Sequence, residues 1–197
     1  MNRPRPLFIA LLVFAMSGVL FALGTIAYLA YVRAMASSLI KSAYDIRTKA
    51  DAEREIAVWK KKMGIFFWME GDHPGGDHSY DATVANLPIA RLRIVEPTGV
   101  TVGITMNDGE LRSVTVIESV GWYPVASVWI QEWFGEKMPN HFHVSRKREP
   151  YMATVEFPSS LPDEERRKAF AVDAGCLVRP GGCKTAEAVL PGISQLK

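Results

Sequence analysis

The sequence predicts an α+β protein: an N-terminal transmembrane helix and stalk helix, then an antiparallel β-sheet of about five or six strands with C-terminal helices. Three observations carry that class. A run free of charged side chains extends from Leu7 to Val32, a stretch without Gly or Pro and rich in Ala, Glu, Lys and Arg follows it, and from Ile89 onward apolar residues recur at every second position. The expected organisation is a short tail over 1–6, a transmembrane helix over 7–32, a juxtamembrane helix over 33–63 and a soluble α+β domain over 64–197.

The apolar run LFIALLVFAMSGVLFALGTIAYLAYV is long for its task. As a helix rising 1.5 Å per residue it measures about 39 Å, against roughly 30 Å of bilayer hydrocarbon, so it spans with tilt or runs on into the interface. Tyr28 and Tyr31 suit the headgroup level, with Arg33 just outside. Ala34-Met35-Ala36 has the small-x-small form of a signal-peptidase site. The run is much longer than a signal core, however, and Arg33 separates that core from the site, so the sequence predicts an uncleaved anchor. Gly18 and Ala22 form a small-xxx-small pair of the kind that lets two membrane helices approach, although ordinary lipid-facing small residues give the same pattern.

Two signals bear on orientation, and they disagree. Arg33, Lys41, Arg47 and Lys49 outnumber Arg3, Arg5 and the amino terminus, which by the positive-inside rule slightly favours a cytoplasmic domain. Against this, the only two cysteines, Cys176 and Cys183, flank the turn-forming Leu-Val-Arg-Pro-Gly-Gly and read as a small disulfide loop. Such a bond persists in an oxidising compartment, so the domain is expected on the periplasmic or extracellular side. The spacing does not match the paired C-x2-C of zinc sites.

Residues 34–63 predict a stalk helix ended by Gly64, with Leu39, Ile46, Ile56 and Met63 at approximate helical spacing, while Glu53 and Lys60 break any heptad. Residues 71–81 have loop composition. Strands follow: Ala90, Leu92 and Ile94 alternate with Arg91 and Arg93, and Val100 to Met106 alternates with Thr and Gly. The turn Asn107-Asp108-Gly109 admits a two-residue Asp-Gly hairpin or a three-residue loop; the three-residue loop is expected, because it sets Val102 opposite Val114 and Val100 opposite Val116, where the other would set Val102 against Thr115. Further strands are expected at Trp122–Trp133, Phe142–Lys147 and Tyr151–Phe157. Ser160 with Asp163 then reads as a capping box before a helix over Glu164–Ala174 stopped by Gly175, and a short last helix lies around Thr185–Leu190.

Composition excludes some classes of function. A net charge of +2 from 23 basic and 21 acidic residues argues against nucleic acid as a partner. No Walker loop, Gly-x-Ser-x-Gly elbow or dinucleotide fingerprint is present, so no cofactor is expected. Ser38-x-x-Lys41 matches a penicillin-recognising motif by letter but lies on a helix beside the membrane with no Lys-Thr-Gly partner.

The candidate metal ligands are His141 and His143, two apart in an expected strand and so on one face, with Glu156 on a neighbouring strand; an exposed polar face gives the same pattern. Asp72, His73, Asp77 and His78 form a second set in a polar loop. Trp122, Trp129, Trp133 and Phe134 are the densest aromatic group, expected as sheet core rather than a binding face.

A membrane helix running into a stalk, an antiparallel sheet and a late cysteine pair is similar in outline to type IV pilin subunits. That resemblance implies a structural, assembling role. The chain departs from it in one respect: pilins carry a glutamate in the apolar helix, and residues 7–32 contain no acid. The function expected from the sequence is a non-enzymatic binding or assembly module of the cell envelope. Its partners would be the lipid bilayer and an envelope protein; a metal-assisted hydrolase and a pilin-like subunit are the alternatives.

Overall fold

A computed structural model describes residues 6–63, 67–73, 77–121, 126–135, 139, 141–147 and 151–196. The first element, α1 (Pro6–Asp45), is a single unbroken helix that does two jobs along its length. From Phe8 to Gly24 every residue is exposed. Beyond that, Val32, Ala36, Leu39, Ile40 and Ala43 are buried at spacings of one helical turn, so one face enters the domain core. The far end of the charge-free run therefore belongs to the domain, where Val32 is 3% exposed.

The expected stalk is a helical hairpin rather than one rod. Asp45 ends α1, and α2 (Lys49–Met63) begins after Thr48. Thr48 and Asp51 cap each other reciprocally: the Asp51 amide donates to Thr48 Oγ1 at 3.2 Å and the Thr48 amide to Asp51 Oδ2 at 3.1 Å. The Trp59 indole reaches back to Ser42 Oγ at 3.2 Å and holds α2 against α1. Gly64, expected to stop this helix, lies outside the described residues.

Among the described residues, seven strands form one sheet in the order β1-β2-β3-β4-β5-β7-β6. They are β1 (Phe67–His73), β2 (Asp77–Ala85), β3 (Thr98–Asn107), β4 (Glu110–Val120), β5 (Ala126–Trp133), β6 (His143–Lys147) and β7 (Tyr151–Pro158). All pairings are antiparallel except β5 with β7. The fold is thus α+β, with α1, α2 and the C-terminal helices packed on one sheet face. On β3 burial alternates strictly, with Val100, Val102, Ile104 and Met106 inward.

Three local expectations are corrected. Within the expected loop 71–81, residues 71–73 are the end of β1 and 77–81 the start of β2, on which Tyr80, Ala82 and Val84 turn toward the core; residues 74–76 lie outside the described residues. Ala90 to Ile94 is not a strand. Leu87–Ala90 form the short helix α3, with proline in its first turn, and the chain then turns through Arg93 at φ 59°. The helix expected over Glu164–Ala174 is shorter, α4 (Asp163–Ala169), with Pro162 rather than Ser160 at its start. Gly175 lies inside a 3₁₀ turn, Ala174–Leu177. The last helix, α5 (Ala186–Val189), is capped by Thr185 Oγ1, which accepts from the Ala188 amide.

The β3–β4 hairpin also differs. It turns on two residues, Asp108 and Gly109, at φ 48° and 74°, with Asn107 paired to Glu110. Both positions need positive φ, as a two-residue hairpin of this hand requires. A bulge between Thr105 and Met106 then leaves Arg112 without a partner, so Val102 faces Val116 and Ile104 faces Val114. The expected three-residue loop would have placed Val100 against Val116; it faces Glu118 instead. The valines still gather on one face, but that face includes a carboxylate.

Candidate functional site

Of the sequence-derived metal ligands, the structure brings two together. His143 on β6 lies directly opposite Glu156 on β7, on the face away from the buried Val155 and Phe157. His141 is exposed in a bend before β6. Among the described residues, the one group of three ligand-type side chains whose donor atoms converge is Asp173, Cys176 and Cys183. Both of its sulfurs are taken: Cys176 and Cys183 are joined by a disulfide, with Cα atoms 5.2 Å apart. The side chains of Asp72, His73 and Asp77 lie outside the described residues, and His78 is half-buried on β2. Ser38 and Lys41 are both exposed on α1.

Trp129 and Trp133 of the aromatic group do not form sheet core. Trp129 lies on the face of β5 opposite Val128 and Ile130, is 41% exposed, and donates to Ser127 Oγ at 3.1 Å. Trp133, two residues on, shares that outward face and is half-buried; Phe134 packs against the core, and Trp122 lies outside the described residues.

Trp133 lines a concavity with a volume of ≈ 990 Å³, at the end of the domain away from the exposed half of α1. Three pieces build it. The α1–α2 turn supplies Arg47, Thr48 and Lys49; the β3–β4 hairpin supplies Thr105, Asn107, Glu110 and Arg112; the end of β5 supplies Gln131 and Trp133. The bulge that corrects the hairpin register also presents Arg112 here, where its guanidinium donates to Asn107 Oδ1 at 3.4 Å. Arg47 is tied to Asp163 of α4, and Gln131 donates to Ser113 Oγ at 3.3 Å. The lining thus offers three cations, one carboxylate, hydroxyls, amides and an indole, with no histidine or cysteine. That chemistry suits binding an anionic or hydrogen-bonding surface rather than proton transfer or nucleophilic attack.

Behind this end lies a sealed ion pair. Arg166 of α4 and Glu132 of β5 are both fully buried and bonded in two-point fashion through Nε and Nη2. Arg166 Nη2 also approaches the carbonyls of Tyr44 and Ile46 at the end of α1, at 3.3 and 3.4 Å, and the guanidinium stacks on Tyr44 and Phe170. Desolvation, opposed by Arg47, pushes the Glu132 carboxyl up, whereas the Arg166 guanidinium in direct contact favours the carboxylate. Among the described residues, Glu118 has no such partner. It is fully buried, both oxygens lack a hydrogen bond, and desolvation, reinforced by Asp173 and opposed by Arg179, pushes it up to about 8.

The concavity was not legible in the sequence, because its residues come from three separated segments. One signal was present: Thr48-Lys49-Ala50-Asp51, a capping-box pattern that marks the turn between α1 and α2.

Comparison with known proteins adds no kinship: no protein-family model matches the chain, and neither a curated protein nor a solved structure matches it. The class that fold and site define is a domain built on one helix long and apolar enough to cross a membrane near the N-terminus, which fits a single-pass anchor.

Proposed function

We propose that this chain is a single-pass, membrane-anchored extracytoplasmic protein whose domain is a non-enzymatic binding or assembly module of the cell envelope. On this reading the basic concavity at the membrane-distal end is its docking site. The observation that carries the proposal is the continuity of α1: its first half is wholly exposed and apolar, with a mean hydropathy of 2.4, and its second half is domain core. A helix that enters the core without a break holds the domain at a fixed height and angle, as a platform needs and a flexible tether does not provide. From Tyr28 to Asp45 the helix climbs about 26 Å, so the concavity faces away from the bilayer.

The same continuity supports an uncleaved anchor. Cleavage after Ala36 would remove Tyr28, Val32, Met35 and Ala36, all of which pack against the domain. The disulfide supports an oxidising compartment.

The test is a photo-crosslinking amino acid placed at Gln131 in living cells, with Lys168 as a control. A discrete adduct from position 131, absent from 168 and lost in Lys49→Glu/Arg112→Glu, is the expected result. Turnover of ester, peptide or phosphate substrates by the purified protein, lost on changing one residue of the concavity, would replace this reading with an enzymatic one.

The pairing of His143 with Glu156 favours one second reading, a metal-assisted hydrolase using His141, His143 and Glu156. Stoichiometric metal in protein isolated without added ions, lost in His143→Ala, would support it. Metal-free protein of unchanged stability would sink it.

A further inference from the structure

We propose that the segment from Leu87 to Val95 is a second membrane contact, a lipid-facing wedge that seats the domain on the same bilayer that α1 crosses. The proposal rests on the reading of α1 as a bilayer span.

Outside α1, the large apolar side chains left exposed among the described residues are Leu87, Leu92, Ile94 and Trp129. Three of the four fall within this one segment, with exposures of 40%, 54% and 40%. Their position is not arbitrary. Ile89, Ala90 and Val95 form a small core of their own against Tyr28 and Leu29 of α1. Those two residues stand where the helix passes from its exposed apolar half into the domain, so the wedge lies at the level where α1 leaves the hydrocarbon.

Counted from Phe8 to Tyr28, the exposed part of α1 is about 32 Å long, a match to the roughly 30 Å bilayer core that leaves the wedge at the interface. Arg91 and Arg93 alternate with the exposed apolar residues, and Arg33 stands just above the same level on α1. Apolar side chains interleaved with arginines suit the boundary between acyl chains and phosphates, where each kind of side chain meets its partner. Glu96, also exposed, is the acid adjoining the segment.

The wedge is also held firmly. Buried Asn86 at its base donates to the carbonyls of Glu96 and Leu177, at 2.9 and 2.6 Å, and accepts from the Thr98 amide at 2.8 Å. These bonds clamp both ends of the segment to the domain and to the disulfide-bearing turn. Insertion therefore needs no folding of a loop, and the ordering cost is already met.

The test uses the full chain in nanodiscs of phosphatidylcholine and phosphatidylglycerol, with an environment-sensitive fluorophore on one introduced cysteine. The native cysteines are bonded and buried. Labels are placed at Leu92→Cys, at Leu20→Cys within the span, and at Lys168→Cys on α4. With nitroxide groups near the lipid headgroups, the label at 92 should lose most of its emission and the label at 168 should keep it. With nitroxides deep in the acyl chains, the label at 20 should be quenched. Arg91→Glu/Arg93→Glu should restore emission at 92 without affecting position 20. Quenching at 20 with none at 92 would overturn the wedge and leave the anchor standing. Absence of quenching at 20 would overturn the anchor itself, and the wedge with it.

Discussion

Arg166 reaches across the core to Glu132 and, with the same guanidinium, to the carbonyls of Tyr44 and Ile46 at the end of α1, so one buried cation joins β5, α4 and the end of that helix. Removing one partner strands a charge in the core. Arg166→Met should cost about 3–5 kcal/mol, whereas Arg166→Met/Glu132→Leu should recover most of that loss. Thermal denaturation of both variants in detergent checks this; equal destabilisation by the single and the double change would show that the pair is not what holds the joint.

Glu118 makes stability depend on pH. Its carboxyl is pushed up to about 8 in the folded state from an ordinary value of 4.5. The folded protein therefore binds the extra proton between these values, and stability falls as pH rises from 4.5 through 8. At pH 7 the cost is on the order of 3 kcal/mol. Glu118→Leu should raise the melting temperature, and the gain over the native chain should grow by about 5 °C or more between pH 5 and pH 8. A gain independent of pH would mean that Glu118 does not titrate in the core.

The disulfide closes a short loop, so its contribution is modest. Cys176→Ser/Cys183→Ser should cost on the order of 2 kcal/mol. The loss should be local: hydrogen exchange should quicken over residues 160–196 before it quickens in β3, β4 and β5. Uniform loosening of the sheet would contradict this.

How much of this was legible in the sequence follows from which residues have their pattern to themselves. The alternation of Val100 to Met106 served one buried face and nothing else, and β3 follows it. Leu92 and Ile94 alternate just as well, but they are exposed beside α1, so the same period gave a false strand. In β2 the inward residues Ala82 and Val84 are small and follow a Gly- and Asp-rich stretch, which hid a true strand behind loop composition. The hairpin register escaped because a bulge cannot be read from turn residues alone. Glu118 escaped for the opposite reason: its position in the alternation was apolar, and its chemistry argued against the core.

The concavity offers a simpler check on its own electrostatics. Lys49 and Arg112 flank it from opposite sides, and a Cβ added at Gly109 would lie 3.3 Å from Lys49 Nζ, so the ammonium sits over the hairpin turn. Both side chains are on the surface and outside the core. Lys49→Glu/Arg112→Glu should leave the melting temperature within about 1 °C of the native chain, since exposed charges contribute little to stability. A large loss would mean that the cations hold the hairpin rather than a partner.

On the proposed reading, α1 remains attached as the bilayer span of a domain on the oxidising side. The most direct measurement is labelling of Lys168→Cys with a membrane-impermeant maleimide, in cells whose α1-bearing membrane is intact, followed by fractionation. Labelling is expected before lysis, on a full-length chain in the membrane fraction. Labelling only after lysis, or a labelled soluble chain cut after Ala36, would contradict it.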